Sequence, residues 1–190
     1  MKVLGIAGSP RRDGNTDILL AETLRGAASK GAEVKTIVLS ELEIDPCTHC
    51  DACLAKGKCK IQDDMQMIYR EMEKADRIVL ASPIHFVGPS AQVKAMIDRC
   101  QALWARKYVL KIPPLGDGPE KKGLFIAVGG RKAPNNFEPA LAEIKTLLRI
   151  INISYAGELF FNEVDEKGAI TEHQDAMEQA FQAGQKLVGE

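Results

Sequence analysis

A doubly wound α/β fold, a parallel sheet with helices on both faces, is what this sequence predicts. Two observations carry that expectation. Five apolar, β-branched runs are continuous rather than alternating, as in strands covered on both faces. Each run is separated from the next by a segment of helical periodicity, the pattern of parallel crossovers. A chain of 190 residues suits one domain, and at that length about 70% of the unfolded surface is buried without disulfide staples. The expected organisation is therefore a single unit over 1–190, with a cysteine-rich loop at 45–63 and a long surface loop at 107–122.

The strands are expected near Val3–Ala7, Val34–Leu39, Arg77–Ala81, Leu124–Gly129 and Tyr155–Phe161. The helices are expected near Asn15–Lys30, Asp64–Lys74, Ser90–Arg106, Phe137–Ile151 and Glu172–Val188. Five such strands suit the flavodoxin-like order 2-1-3-4-5, in which ligands sit beyond the C-terminal ends of strands 1 and 3. Tyr108–Lys122, rich in Pro, Gly and Lys, reads as a surface excursion.

Charge is balanced, with 25 Lys and Arg against 26 Asp and Glu, so nothing points to nucleic acid or an anionic membrane. No apolar run approaches a membrane span. The first strand begins at once, so no signal peptide is expected and a cytoplasmic location is. Four of the five cysteines lie within thirteen residues, unlike a secreted disulfide framework.

The first strand runs into Gly8-Ser9-Pro10-Arg11-Arg12-Asp13-Gly14-Asn15-Thr16 and then a helix. A helix N-terminus offers unpaired amides and the positive end of the dipole, hence an anion site. The P-loop spacing and its lysine are missing, and so is the G-x-G-x-x-G of dinucleotide folds. A single terminal phosphate fits best, held by Ser9, Asn15 and Thr16 with Arg11 and Arg12 adding charge; an ordinary βα turn has the same outline. Two more loops converge on the same end of the sheet. Ser82-Pro83-Ile84-His85-Phe86-Val87-Gly88 is apolar and suited to a flat ring, unless Phe86 and Val87 simply pack inward. Gly129-Gly130 permits close backbone approach, or is a plain turn.

Cys47-x2-Cys50-x2-Cys53-x5-Cys59 wraps four thiols into a short span, with Pro46 and Gly57 permitting the turns. Consecutive x2 steps resemble the runs that hold cubane iron–sulfur clusters, whereas zinc sites pair two knuckles across a longer gap. Free thiols and structural zinc remain the alternatives. His49 reads as a loop residue and Cys100 as a small buried one.

With these residues in view, the chain resembles the iron–sulfur flavoproteins of anaerobic archaea and bacteria, within the NAD(P)H-dependent FMN reductase family. The resemblance covers about residues 1–165 and rests on Gly8-Ser9-Pro10-Arg11, Gly14-Asn15-Thr16, the four clustered cysteines, Asp63-Asp64-Met65, Ser82-Pro83 with Phe86, Ser90-Ala91, Lys94 and Asp98-Arg99. It implies one FMN per subunit, the phosphate in Ser9–Thr16 and the ring against Pro83–Gly88, with Gly129-Gly130 nearby. It implies a [4Fe–4S] cluster on Cys47, Cys50, Cys53 and Cys59, in a homodimer or homotetramer taking electrons from a ferredoxin-like donor. Tyr is common in the family where His85 stands. The alternative function is a cluster-free NAD(P)H-dependent FMN or quinone reductase; a third is a zinc-stabilised binding module.

Overall fold

The computed structural model describes residues 1–189. Five strands, β1 (Lys2–Ala7), β2 (Glu33–Val38), β3 (Arg77–Pro83), β4 (Lys121–Val128) and β5 (Ile153–Phe161), form one sheet in the order β2-β1-β3-β4-β5. Every neighbouring pair is parallel. This is the flavodoxin-like arrangement expected from the alternation of runs.

The continuous apolar runs are explained by the two cores they serve. Leu4, Ile6, Ile78, Leu80, Phe125 and Ala127 face one side. Val3, Ala7, Val79, Ala81, Leu124, Ile126 and Val128 face the other. Side chains alternate along each strand, so a strand with helices on both faces is apolar at successive positions through its middle. Helices α3 (Met65–Lys74), α4 (Ala91–Arg99) and α6 (Glu138–Ile150) fill the first core. Helices α1 (Asn15–Ser29) and α7 (Ala176–Gly189) fill the second. The edge strands are the exceptions: the first four residues of β2 are exposed, and β5 alternates between covered and open positions.

Several boundaries differ from expectation. β4 begins at Lys121, so it and the π-helical turn ending at Val109 take up the two ends of the surface loop expected at 107–122, and β5 begins at Ile153. The helix expected over Ser90–Arg106 is interrupted at Cys100, where ψ is 1°; a short α5 (Gln101–Trp104) and a π-helical turn (Ala105–Val109) continue it. The cysteine segment contains a single helical turn, α2 (Ala52–Lys56), bounded by Asp51 and Gly57 in left-handed backbone conformations. The last helix starts at Ala176, after a 3₁₀ turn at Ala169–Glu172.

The contact that sets the first βα loop is a backbone clamp at Gly8. Its N–H donates to the Ala81 carbonyl at 2.8 Å, and its own carbonyl accepts from Ser90 Oγ at 2.5 Å. Ser90 also accepts from the Val93 amide as the N-cap of α4, and its own amide donates to Ser82 Oγ. Only glycine fits here: a Cβ on residue 8 would lie 2.2 Å from Val93 Cγ2 and 2.7 Å from the Ala81 carbonyl oxygen. Gly8→Ala is therefore expected to destabilise the fold by about 3 kcal/mol through overpacking, read as a lower urea midpoint at unchanged m-value.

Candidate functional site

The loop after β1 opens a cleft at the C-terminal edge of the sheet, between the ends of β1 and β3. Its cavity of about 290 Å³ is lined by Ser9, Arg11, Asn15, Thr16, Pro83, Ile84, His85 and Gly130 among the expected residues, together with Pro10, Gly14, Val128, Val164 and Asp165. That volume lies near the lower end of small-molecule sites. Helix α1 begins here at Gly14 with no side-chain cap. The amides of Asn15 and Thr16 have no protein acceptor among the described residues, so the positive end of the helix faces the cavity with donors to spare.

The side chains divide by role. Ser9 Oγ accepts from the Arg11 amide at 3.0 Å and donates to the Arg11 carbonyl at 2.9 Å, which holds the loop in its turn. Asn15 spends its amide group on the segment after β5, donating to the Glu166 carbonyl and accepting from the Ile170 amide. Arg11 reaches the Asp165 carbonyl at 3.3 Å. Thr16 is buried against the cavity. Arg12 turns elsewhere, onto Glu41 at 3.1 Å and Asp17 at 4.0 Å. Asp17 lies beneath the loop; burial raises its pKa against the lowering influence of the Asp13 amide and Arg12.

The second loop is a hairpin turn. His85 and Gly88 exchange backbone hydrogen bonds, and Phe86 and Val87 between them have φ of 50° and 62°. Two positive φ values in a two-residue turn are the type I′ geometry that glycine and asparagine favour; a β-branched valine there is strained. Phe86 stands fully in solvent at 101% relative exposure, with Val87 beside it, rather than packing inward. Ser82 is buried, bonding the Pro83 carbonyl and the Ser90 amide. Gly88 closes the turn and Gly129 bonds Phe161 and Val164, so neither lines the cavity.

The four clustered cysteines bound a separate concavity of about 20 Å³, floored by Arg99, Gln101 and Ala102. All are free thiols. Burial raises the Cys53 pKa, and the neighbouring Cys59, Cys47 and Cys50 push it the same way. Hydrogen bonding from the Ala52 amide lowers that of Cys50. No three His, Cys, Asp or Glu side chains among the described residues close on one point in the manner of a single-ion site. Cys100 lies outside the group, buried, its thiol pushed up to about 12 by desolvation.

The stem of this loop is stapled by two aspartates that sequence reasoning used only as motif residues. Asp64 accepts from the Glu43 amide and donates its own amide back to the Glu43 carbonyl. Asp63 accepts from the amides of Asp45 and Met65 and from both ends of the Arg99 guanidinium, at 2.5 and 2.9 Å. Arg99 is 1% exposed and on the apolar stripe Val93, Met96, Arg99 of α4. A charge on such a stripe was the available signal. Val164 and Asp165 had none, because they arrive from a loop some 150 residues away from Ser9 in sequence.

Comparison with known proteins now bears on this geometry. The sequence profile of the NADPH-dependent FMN reductases matches residues 1–154. The chain belongs to that family. Within it the chain stands with the iron–sulfur flavoproteins. One from Methanocaldococcus jannaschii is 47% identical over 103 residues, 54% of this chain and 53% of that protein, so the match spans about half of that relative's length. One from Archaeoglobus fulgidus is 40% identical over 76% of this chain and 69% of its own length. Among solved structures, a flavone reductase superposes with a TM-score of 0.72 at 24% identity over 100% of this chain and 62% of its own. An NAD(P)H:quinone oxidoreductase from Methanothermobacter marburgensis gives 0.71 at 14% identity over 98% and 96%. These two share the fold.

The buried Asp63–Arg99 pair has a pH signature in this FMN reductase fold. Burial opposes ionisation of Asp63, but Arg99 and the Asp45 and Met65 amides outweigh it and hold the carboxyl below the ordinary range. A lowered folded pKa stabilises fully above the unfolded value near 3.9 and is lost as pH falls through the folded one. The urea midpoint is expected to drop below about pH 4. Asp63→Asn should remove that part of the pH dependence and destabilise by about 3 kcal/mol at neutral pH.

Proposed function

We propose that this chain is a cytoplasmic FMN-dependent electron-transfer oxidoreductase. In this reading Cys47, Cys50, Cys53 and Cys59 hold a [4Fe–4S] cluster, a ferredoxin-like protein supplies single electrons, and FMN delivers them to an acceptor. The observation that carries the reading is the convergence of uncapped α1 amides, Thr16, Arg11, Pro83–His85 and Gly130 on one cleft, with four thiols bounding a second. Family membership supports the flavin, and the names of the relatives support the cluster.

Each residue has a task in this scheme. The Asn15 and Thr16 amides and the Thr16 hydroxyl receive the FMN phosphate, and Arg11 balances its charge. Ser9 and Asn15 position: one shapes the turn, the other ties α1 to the segment that covers it. Pro83, Ile84 and His85 offer a surface for the ring, and the strained turn at Phe86 and Val87 follows them in the chain. The cysteine cavity supplies four sulfur donors, and Arg99 and Lys60 offset their charge. When bound, the cluster and the flavin together convert one-electron input into one- or two-electron output. In this reading the chain assembles into a homodimer or homotetramer, and Phe86, Val87, Tyr108, Val109 and Ile112 are among its exposed large apolar side chains.

A second reading is an NAD(P)H-dependent FMN or quinone reductase with idle thiols: no three His, Cys, Asp or Glu side chains among the described residues close on one point.

Anaerobically prepared protein is expected to contain one FMN and about four iron and four sulfide per chain. Cys50→Ser should lose the iron and keep the flavin. Flavin without iron, with rapid NAD(P)H oxidation that survives Cys50→Ser, would establish the second reading instead. Thr16→Val removes one donor to a charged group and should weaken FMN binding about tenfold in a fluorescence titration.

A further inference from the structure

Arg99 is among the largest fully buried side chains of the described residues. A guanidinium carries five N–H donors and no acceptor, and four of the five are accounted for. Nη1 donates to the Asp45 carbonyl at 2.7 Å and to Asp63 Oδ2 at 2.5 Å. Nη2 donates to the Ile61 carbonyl at 3.4 Å and to Asp63 Oδ1 at 2.9 Å. The fifth, Nε–H, is buried without a partner. A buried donor left unmade costs about 1–3 kcal/mol, so native structures rarely tolerate one without a reason.

The surroundings narrow the acceptor. Every oxygen that Arg99 reaches already holds an η hydrogen. The guanidinium and Cys59 line the same four-cysteine cavity, and Arg99 Nη2 donates to the Ile61 carbonyl, two residues beyond Cys59. The pose is also rigid. Asp63 grips both η nitrogens in a fork, Asp63 is itself held by two amides of the loop stem, and Tyr69 Oη donates to the Arg99 carbonyl at 2.6 Å.

We infer that Arg99 is a positioning residue whose spare Nε–H donates to the Cys59 sulfur once that sulfur is a cluster ligand, and that this bond raises the reduction potential of the site. The inference rests on the cluster reading above. Its physics is that of outer-shell tuning: adding an electron makes the ligating sulfur more negative, so a fixed cationic donor beside it favours the reduced form. Lysine at this position keeps the charge but lacks both the fork and the Nε–H, so it isolates the geometry.

The test uses anaerobic holoprotein grown with ¹⁵N-arginine and reduced chemically. Pulsed EPR is expected to show a ¹⁵N coupling to the cluster signal that disappears in Arg99→Lys. At a fixed poised potential, Arg99→Lys should hold about tenfold less reduced cluster than the parent, equivalent to about 59 mV for a one-electron couple. A cluster signal with no arginine coupling overturns this inference and leaves the proposed function standing, even if Arg99→Lys does not fold, because that measurement needs only the parent protein. An unchanged ratio in a folded Arg99→Lys protein also overturns it. Absence of any cluster signal overturns both.

Discussion

Helix α4 joins the two candidate sites, and what is fastened to its ends fixes both. At its start Ser90 caps the helix and bonds the Gly8 carbonyl, so the β1 loop and the β3 loop are held to the same point. At its finish Arg99 takes hold of Asp63 and the Asp45 carbonyl, so the cysteine loop is held as well. A helix rises 1.5 Å per residue, so the nine steps from Ser90 to Arg99 span about 14 Å. The turn after β1 and the cysteine cavity are therefore set apart by a rod, not by a flexible connection.

The two clamps differ in kind. At Gly8 the constraint is steric: two strand ends approach so closely that one Cβ is too much. At Arg99 it is electrostatic, and a buried ion pair is weak evidence of stability by itself. Its contribution here is to orientation. Asp63 has two oxygens and receives four donors, two from the loop stem and two from Arg99, so one arrangement of the stem satisfies all of them. An apolar pair in the same place would fill the space without choosing an orientation for the loop.

The sheet order was legible in the sequence because the middles of β1, β3 and β4 are covered on both faces, so their polar residues fall mainly at the strand ends. Edge strands β2 and β5 were found through their neighbours' spacing as much as through their own residues. The place of the Ser9–Thr16 turn beside a cleft was legible, but the division of labour within it was not. Two adjacent arginines look equivalent in sequence, yet only Arg11 lines the cavity while Arg12 pairs with Glu41. The outward turn at Phe86 and Val87 was illegible for a physical reason: neither residue has the backbone preference that announces a type I′ turn. Asp165 was reachable only through tertiary structure, arriving from a distant loop, whereas Arg99 stood out as a motif residue and as a charge on an apolar helix stripe but its partners did not.

The cysteines are placed on an excursion that leaves the sheet undisturbed. Connections in α/β units usually run to a few residues, whereas the path from the end of β2 to the start of α3 occupies residues 39–64. That excursion leaves the sheet at Val38 and returns to α3 through the Glu43–Asp64 and Asp45–Asp63 contacts, so its two ends meet. Closing a loop upon itself costs little more as it lengthens. The thiol-bearing segment can thus vary without changing the strand register, the Gly8 clamp or the α1 amides. What it does require from the core is a single anchoring side chain, and Arg99 is the one charged residue that α4 sends into an otherwise apolar interior.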